Sequence, residues 1–294
     1  MASTLRRQRS SVLGSSGRRR ASIVRHVSAH PAIPASAAGF FIEVLRTLQV
    51  SGIRFMLGGT FAFSHYSKIP RPTADLDVFV DADSVQPILA LFEELGYHTA
   101  LPFPHWLAKI GGASESIDII FSSGNGVARV DDGWFEHAPM AHVLGRRVRL
   151  TPVEELIWSK AFVQERERFD GADVLHLLHE TGRTLDWTRL LRRFGESWPV
   201  LLSHLILFGF VYPARRSQVP DWVMDDLMDR LRLDRGDQDS DVCFGTLLSR
   251  EQYLHDIQTL GYGDARRPPH GRMTEAEIET WTVAATRRTD RRWR

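Results

Sequence analysis

Two aspartates, Asp75 and Asp77, sit in the run Thr73-Ala74-Asp75-Leu76-Asp77-Val78-Phe79-Val80. Alternate residues of a strand face the same way, so an extended run here projects both carboxylates together and turns Leu76, Val78 and Val80 to the core. Adjacent carboxylates repel unless a proton or a cation neutralises them. A second run, Ser116-Ile117-Asp118-Ile119-Ile120-Phe121, puts Ile117, Ile119 and Phe121 on one face and Asp118 on the other. If the two strands are neighbours, three carboxylates converge. Magnesium is a hard ion that favours such oxygens together with water and phosphate. Two ions bridging the acids would orient a triphosphate and lower the pKa of an attacking hydroxyl. For Asp118 alone, a strand-end acid paired with an arginine is the structural alternative.

Other residue types supply the phosphate end. Gly58-Gly59-Thr60 ends one apolar run and opens a helical one. Backbone N–H groups at a helix N-terminus bind phosphate, and the missing Cβ atoms allow close approach. Thr60 adds a hydroxyl donor, and Arg71 and Thr73, just before the acid pair, are within reach of phosphate. Lys160 shares a helix face with Val153, Leu156 and Ile157. Lysine avoids an apolar face unless it reaches a partner or water. Only Lys68, Lys109 and Lys160 are lysines in this chain, and Lys160 reads as a phosphate contact. Asp170 and Asp173 open the next helix, where acids favour the dipole. Asp170 reads as a cap, and Asp173 as either a base or a nucleotide contact.

These residues need a sheet, a glycine turn and a facing helix to position them. A helix is expected over 37–50, a strand over 53–57, a second helix after the glycine pair, a strand over 76–80 and a helix over 84–95. Strands 106–110 and 116–121 flank Gly111-Gly112 as a hairpin, and 147–150 is a further short strand. At Thr151-Pro152-Val153-Glu154 an N-cap, an N1 proline and a capping-box acid announce a helical half. Its helices are expected over 152–167, 170–181, 186–195, 198–209, 220–232, 246–260 and 274–285. The organisation is a basic disordered tail over 1–35, an α/β domain over 36–150, a helical domain over 151–285 and a basic tail over 286–294. The segment Gly245–Leu254 carries no recognisable chemistry.

The chain has 294 residues, 43% of them hydrophobic, and a net charge of +1, as a soluble globular protein would. The charge is segregated. Twelve arginines and one acid lie in residues 1–40 and the last eight, leaving 25 basic and 35 acidic residues in the body. The N-terminal segment, Arg- and Ser-rich and free of acids, reads as a tail, an RNA- or membrane-surface contact, or a transit-type peptide. Cys243 is alone, so no intrachain disulfide forms and a cytoplasmic, reducing location is expected. The most apolar stretch, 198–213, is too short for a membrane span and reads as a buried helix.

Gly58-Gly59-Thr60, Asp75-x-Asp77 and Asp118 resemble the nucleotidyltransferase fold of the DNA polymerase beta superfamily. The segment Leu156–Leu178, with Lys160, Arg166, Asp170 and Asp173, resembles the helical half of bacterial AbiEii-like nucleotidyltransferases. The resemblance covers residues 40–195. It implies a mixed-sheet α/β fold with a helical C-terminal half, two Mg2+ ions on the three acids, and NTP as substrate. It also implies that Lys160 contacts the phosphates and that Asp173 or Asp170 helps to activate the acceptor. Three departures stand beside it: a long interval from Gly59 to Asp75, an unlike region over 200–294, and Asp-Gly-Ala-Asp around the last acid. The expected activity is transfer of a nucleoside monophosphate to a hydroxyl of RNA, a protein or a small molecule, with an antitoxin-like partner left open. The rivals are a non-catalytic nucleotide-binding or antitoxin-like regulator on the same fold, and an RNA binder working through its basic ends. A haloacid-dehalogenase phosphatase would carry its Asp-x-Asp after an apolar strand rather than before one. An EF-hand through Asp77, Asp81 and Asp83 lacks the glycine and terminal glutamate.

Overall fold

The computed structural model describes residues 31, 33–111, 115–234, 236 and 241–292. Helix α1 (Ala35–Ser51) leads to β1 (Met56–Leu57), and Gly58 caps α2 (Gly59–Ser67). Strand β2 (Asp75–Phe79), α3 (Val85–Glu94), β3 (Thr99–Phe103), β4 (Leu107–Gly111) and β5 (Ser116–Ile120) follow. After α4 (Asp132–His137), the short strands β6 (Met140–Val143) and β7 (Arg146–Arg149) form a hairpin. The helical half comprises α5 (Val153–Ala161), α6 (Gly171–Thr181), α7 (Trp187–Phe194), α8 (Trp198–Val211) and α9 (Asp221–Leu233). It closes with β8 (Val242–Cys243), α10 (Leu254–Gln258), β9 (Gly263–Asp264) and α11 (Glu275–Arg292). Residues 1–30 and 32 of the expected N-terminal tail, residues 112–114 of the hairpin turn and residues 293–294 of the expected C-terminal tail lie outside the described residues. Helix α11 continues through much of the segment expected as a C-terminal tail.

The five-stranded sheet runs β1-β2-β5-β4-β3, with β2 and β5 parallel and the other neighbours antiparallel. This is the expected mixed sheet followed by a helical half. One sheet face buries Leu76, Val78, Ile117 and Ile119 against Phe41, Leu45, Leu48, Ile88 and Phe92 of α1 and α3. The other residues of β2 and β5 face the helical half. A second apolar cluster joins α5–α9 to Phe63 of α2 and to Trp134 of α4. Trp134 stacks on Phe79 at 5.6 Å between ring centroids, so α4 ties the helical core to the strand that bears the acids.

Three local expectations are corrected. Thr151 does not cap α5: Pro152 is the cap residue, and the Thr151 hydroxyl is buried without a hydrogen-bond partner. Glu154 closes no capping box, because its carboxylate accepts from the Asp186 amide at 2.9 Å and from Arg189 at 3.2 Å. The neighbouring Glu155, fully buried, takes Arg189 and Arg193, a pairing that satisfies charges the core would otherwise reject. The expected helix over 246–260 shrinks to a 3₁₀ turn over 244–247 and the short α10. Ser249 interrupts it by donating to Glu165 at 2.8 Å and accepting from the amides of Glu251 and Gln252. Helix α8 is only half-buried, with Ile206, Leu207, Phe210 and Val211 exposed. The stretch Trp187–Val211 is long and apolar enough to cross a membrane by length and composition. It is two helices turned at Gly195 (φ 48°, ψ −124°), each burying leucines in the helical core.

Candidate active site

A cleft of about 450 Å³ opens between the sheet and the helical half. Its strand wall is set by register. Asp77 lies directly opposite Asp118 across the parallel β2–β5 pair, and Asp75 lies opposite Ser116. Asp77 and Asp118 both line the cleft, whereas Asp75, expected beside them, is exposed and is not one of its lining residues. Burial, and then the nearby Asp118 and Asp75 carboxylates, push the Asp77 carboxyl up from 3.8 to about 6. Lys160 and Arg168 act against that rise from the facing wall.

The glycine turn is moulded onto this strand. The Gly58 amide donates to the Asp77 carbonyl at 3.0 Å. A Cβ on Gly58 would meet the Phe79 ring at 2.2 Å, and one on Gly59 would meet Asp77 Oδ2 at 1.7 Å. Gly59 also has φ +49°, a conformation in which a side chain is strained. Only glycine brings the start of α2 this close to a carboxylate. Gly59 and Thr60 line the cleft, whereas Gly58 is buried behind them.

The helical wall is a closed ion network. Lys160 donates to Asp170 at 2.9 Å and to Asp173 at 2.8 Å. Arg71 grips both oxygens of Asp173, at 3.0 and 2.5 Å, and lies 3.9 Å over the Phe63 ring. Arg168 grips both oxygens of Asp170 at 2.9 Å. Despite the opposing effect of burial, these bonds hold the Asp170 carboxyl down at about 2 and lower that of Asp173.

Of the residues expected at the site, Gly59, Thr60, Arg71, Asp77, Asp118, Lys160 and Asp173 line one cleft. Thr73 does not. Its hydroxyl accepts from the Asp75 amide and donates to the Asp75 carbonyl, pinning the start of β2. Asp170 is the N-cap residue of α6 but makes no capping bond, since its carboxylate serves Lys160 and Arg168. Asp173 offers no free oxygen for a base, because both are engaged by cations. Arg166 is exposed and stays out of the cleft, and its place is taken by Arg168. Arg168 lies in an irregular loop, with its carbonyl bonded to the Glu165 amide at 2.9 Å, so no periodicity marks it. Asp118 is paired across the hairpin with Lys109.

The acids also decide what the strand wall can hold. Their donors are all carboxylate oxygens, and Asp77 is under-neutralised, which suits a hard divalent cation. Among the described residues no three His, Cys, Asp or Glu are grouped closely enough to hold a metal ion. The donors are of the type a hard divalent cation takes, although the described acids are not gathered into a preformed site.

No protein-family model matches the sequence, and no curated protein matches it. Several solved structures are similar in part. A crystal structure of ANT(2")-Ia in complex with adenylyl-2"-tobramycin is 20% identical over 43% of this chain and 75% of that one, with a TM-score of 0.33. The lincosamide antibiotic adenylyltransferase LnuA, bound to lincomycin, is 16% identical over 50% and 97%, with a TM-score of 0.36. An antigenic nucleotidyltransferase-like protein from Paracoccidioides brasiliensis is 16% identical over 58% and 93%, with a TM-score of 0.35. At scores this low the likenesses do not establish a shared fold, and the cleft's own geometry carries the functional reading.

Proposed function

We propose that this protein is a nucleotidyltransferase that moves a nucleoside monophosphate from an NTP to an acceptor hydroxyl. The observation that carries this reading is the opposition of two walls. Asp77 and Asp118 face Lys160 and Arg168 across a cleft whose end is the Gly59–Thr60 turn. The amides at the start of α2 would take phosphate oxygens, as a helix N-terminus does. Lys160 and Arg168 would neutralise the charge that grows on the leaving pyrophosphate. The acceptor oxygen bonds to the α-phosphorus as the α–β phosphoanhydride bond breaks, the hydroxyl proton passes to solvent, and pyrophosphate carries away the electron pair. Asp75, Asp77 and Asp118 supply the carboxylate row along which magnesium would be held, and when bound it would neutralise charge and acidify a hydroxyl. Asp173 and Asp170 hold Lys160 and the arginines in place and so act as positioning residues.

Incubation with each α-labelled NTP and total cell RNA, protein or small-molecule extract tests the reading and identifies the acceptor class. Label should appear on one acceptor fraction and disappear with Asp77→Ala. Tight NTP binding by calorimetry without transfer to any fraction would refute catalysis and leave a nucleotide-binding regulator.

A further inference from the structure

Lys109 is unusual by composition and by place. It is one of three lysines among 37 basic residues. Lys68 caps α2 and donates to the His65 carbonyl, and the other two bear on the acid cleft. Lys109 pairs in register with Asp118 across β4–β5, and Asp118 pairs with Asp77 across β5–β2. The three side chains thus form one row across adjacent strands. Ala108 and Ile110, on either side of Lys109, are fully buried in the α1/α3 core, so strand alternation turns Lys109 to the cleft side. Its ammonium bonds to Asp118 Oδ1 and is itself partly exposed. Lysine offers a compact point charge at such a spot, where the planar arginine fork would need room for two parallel bonds.

Charge counting then limits the site. Along the strand row alone, Asp75, Asp77 and Asp118 carry three negative charges and Lys109 one positive, leaving the charge that one divalent ion balances; Lys160 and Arg168, which act on Asp77 from the facing wall, are bonded to Asp170 and Asp173. A second ion on Asp118 would have to displace the ammonium or sit beside it against its repulsion. This differs from the two ions expected from the sequence.

Building on the transferase reading above, we propose that Lys109 is a tethered counterion to Asp118 that replaces one of two metal ions, so that the carboxylate row takes a single divalent cation, at Asp77 and Asp75. Lys109 is then a positioning residue that sets metal stoichiometry.

The test is titration of the full-length protein with Mn2+ alone, counting bound ions by electron paramagnetic resonance of the free ion. Wild type should bind one ion, Lys109→Met two, and Lys109→Arg, which keeps the charge, one. Asp77→Ala should lose the single ion. Thermal melts establish that each variant is folded, which the exposure of Lys109 favours. Two ions on wild type, or one on Lys109→Met, would overturn the proposal while leaving a metal-dependent transferase standing. No ion on any form would remove the metal site itself and this proposal with it, whatever the labelled-NTP assay shows.

Discussion

The two walls of the cleft hold aspartates in opposite states. On the strand wall Asp77 faces Asp118 and Asp75, and Lys109 is the only cation bonded there among the described residues. On the helical wall Asp170 and Asp173 are surrounded by Lys160, Arg168 and Arg71, and every carboxylate oxygen is taken. The first arrangement costs folding energy and is justified only by something that binds. The second repays much of its own desolvation and orders the cations. An acid with no cation bonded to it marks a place for a ligand, whereas an acid holding three hydrogen bonds from two cations marks a scaffold.

The largest effect should follow from removing the unpaired charge. Asp77→Ala is expected to cut nucleotide transfer by at least on the order of 10²–10³-fold, the scale of losing one electrostatic element of an active site. It should also raise stability at neutral pH by about 1–3 kcal/mol, since the raised carboxyl pKa is a penalty carried by the folded state. Urea denaturation beside the label assay reads both. Loss of activity together with loss of stability would make Asp77 a scaffold residue and erase the contrast. The opposite wall should respond the other way. Lys160→Met strands Asp170 and Asp173 with arginines alone and should cost about 2–3 kcal/mol, less than a fully orphaned buried charge because Arg71 and Arg168 remain.

The strand wall was far more legible in the sequence than the helical wall, for a physical reason. A period of two fixes side-chain direction along a strand, so the apolar residues around Asp77 and Asp118 already place both carboxylates on one face. The hairpin around Gly111 brings Lys109 opposite Asp118 once the turn length is counted, although that pairing was not drawn from the sequence. Arg168 had no such marker, because an irregular loop has no period. Lys160 stood out by its apolar helix face, but its partners depend on how α5 packs on α6. The same limit explains the missed α4, β3 and β6. Helix α4 is six residues long and is held by Trp134, which is buried on Phe79. The false helix over 246–260 shows the converse: local propensity yielded to Ser249 bonding with Glu165.

Acid titration should separate the walls by sign. Asp170 is held at about 2, below its ordinary 3.8. Its contribution is therefore present above pH 3.8 and lost as pH falls toward 2, about 2 kcal/mol over that interval. Asp77 is raised from 3.8 to about 6, so its protonated form stabilises the fold at low pH, and that stability is lost as pH rises through this window. In stability-versus-pH curves from denaturant melts, Asp170→Asn should flatten the low-pH slope and Asp77→Asn the slope between about pH 4 and 6. Both variants flattening the same window would mean that the two walls titrate as one network.

The smallest effect tests whether geometry or charge holds the helical wall. Arg71→Lys keeps the positive charge beside Asp173 but removes the two-pronged grip and the stacking on Phe63. Arg71 is 39% exposed, and Lys160 still holds Asp173, so the expected cost is about 1 kcal/mol or less. A double-mutant cycle with Phe63→Leu isolates the stacking share. If Arg71→Lys proved as costly as Lys160→Met, the guanidinium fork rather than the buried ammonium would be the element that orders this wall. Lys160 would then be free to turn toward a bound phosphate without loosening the helices behind it.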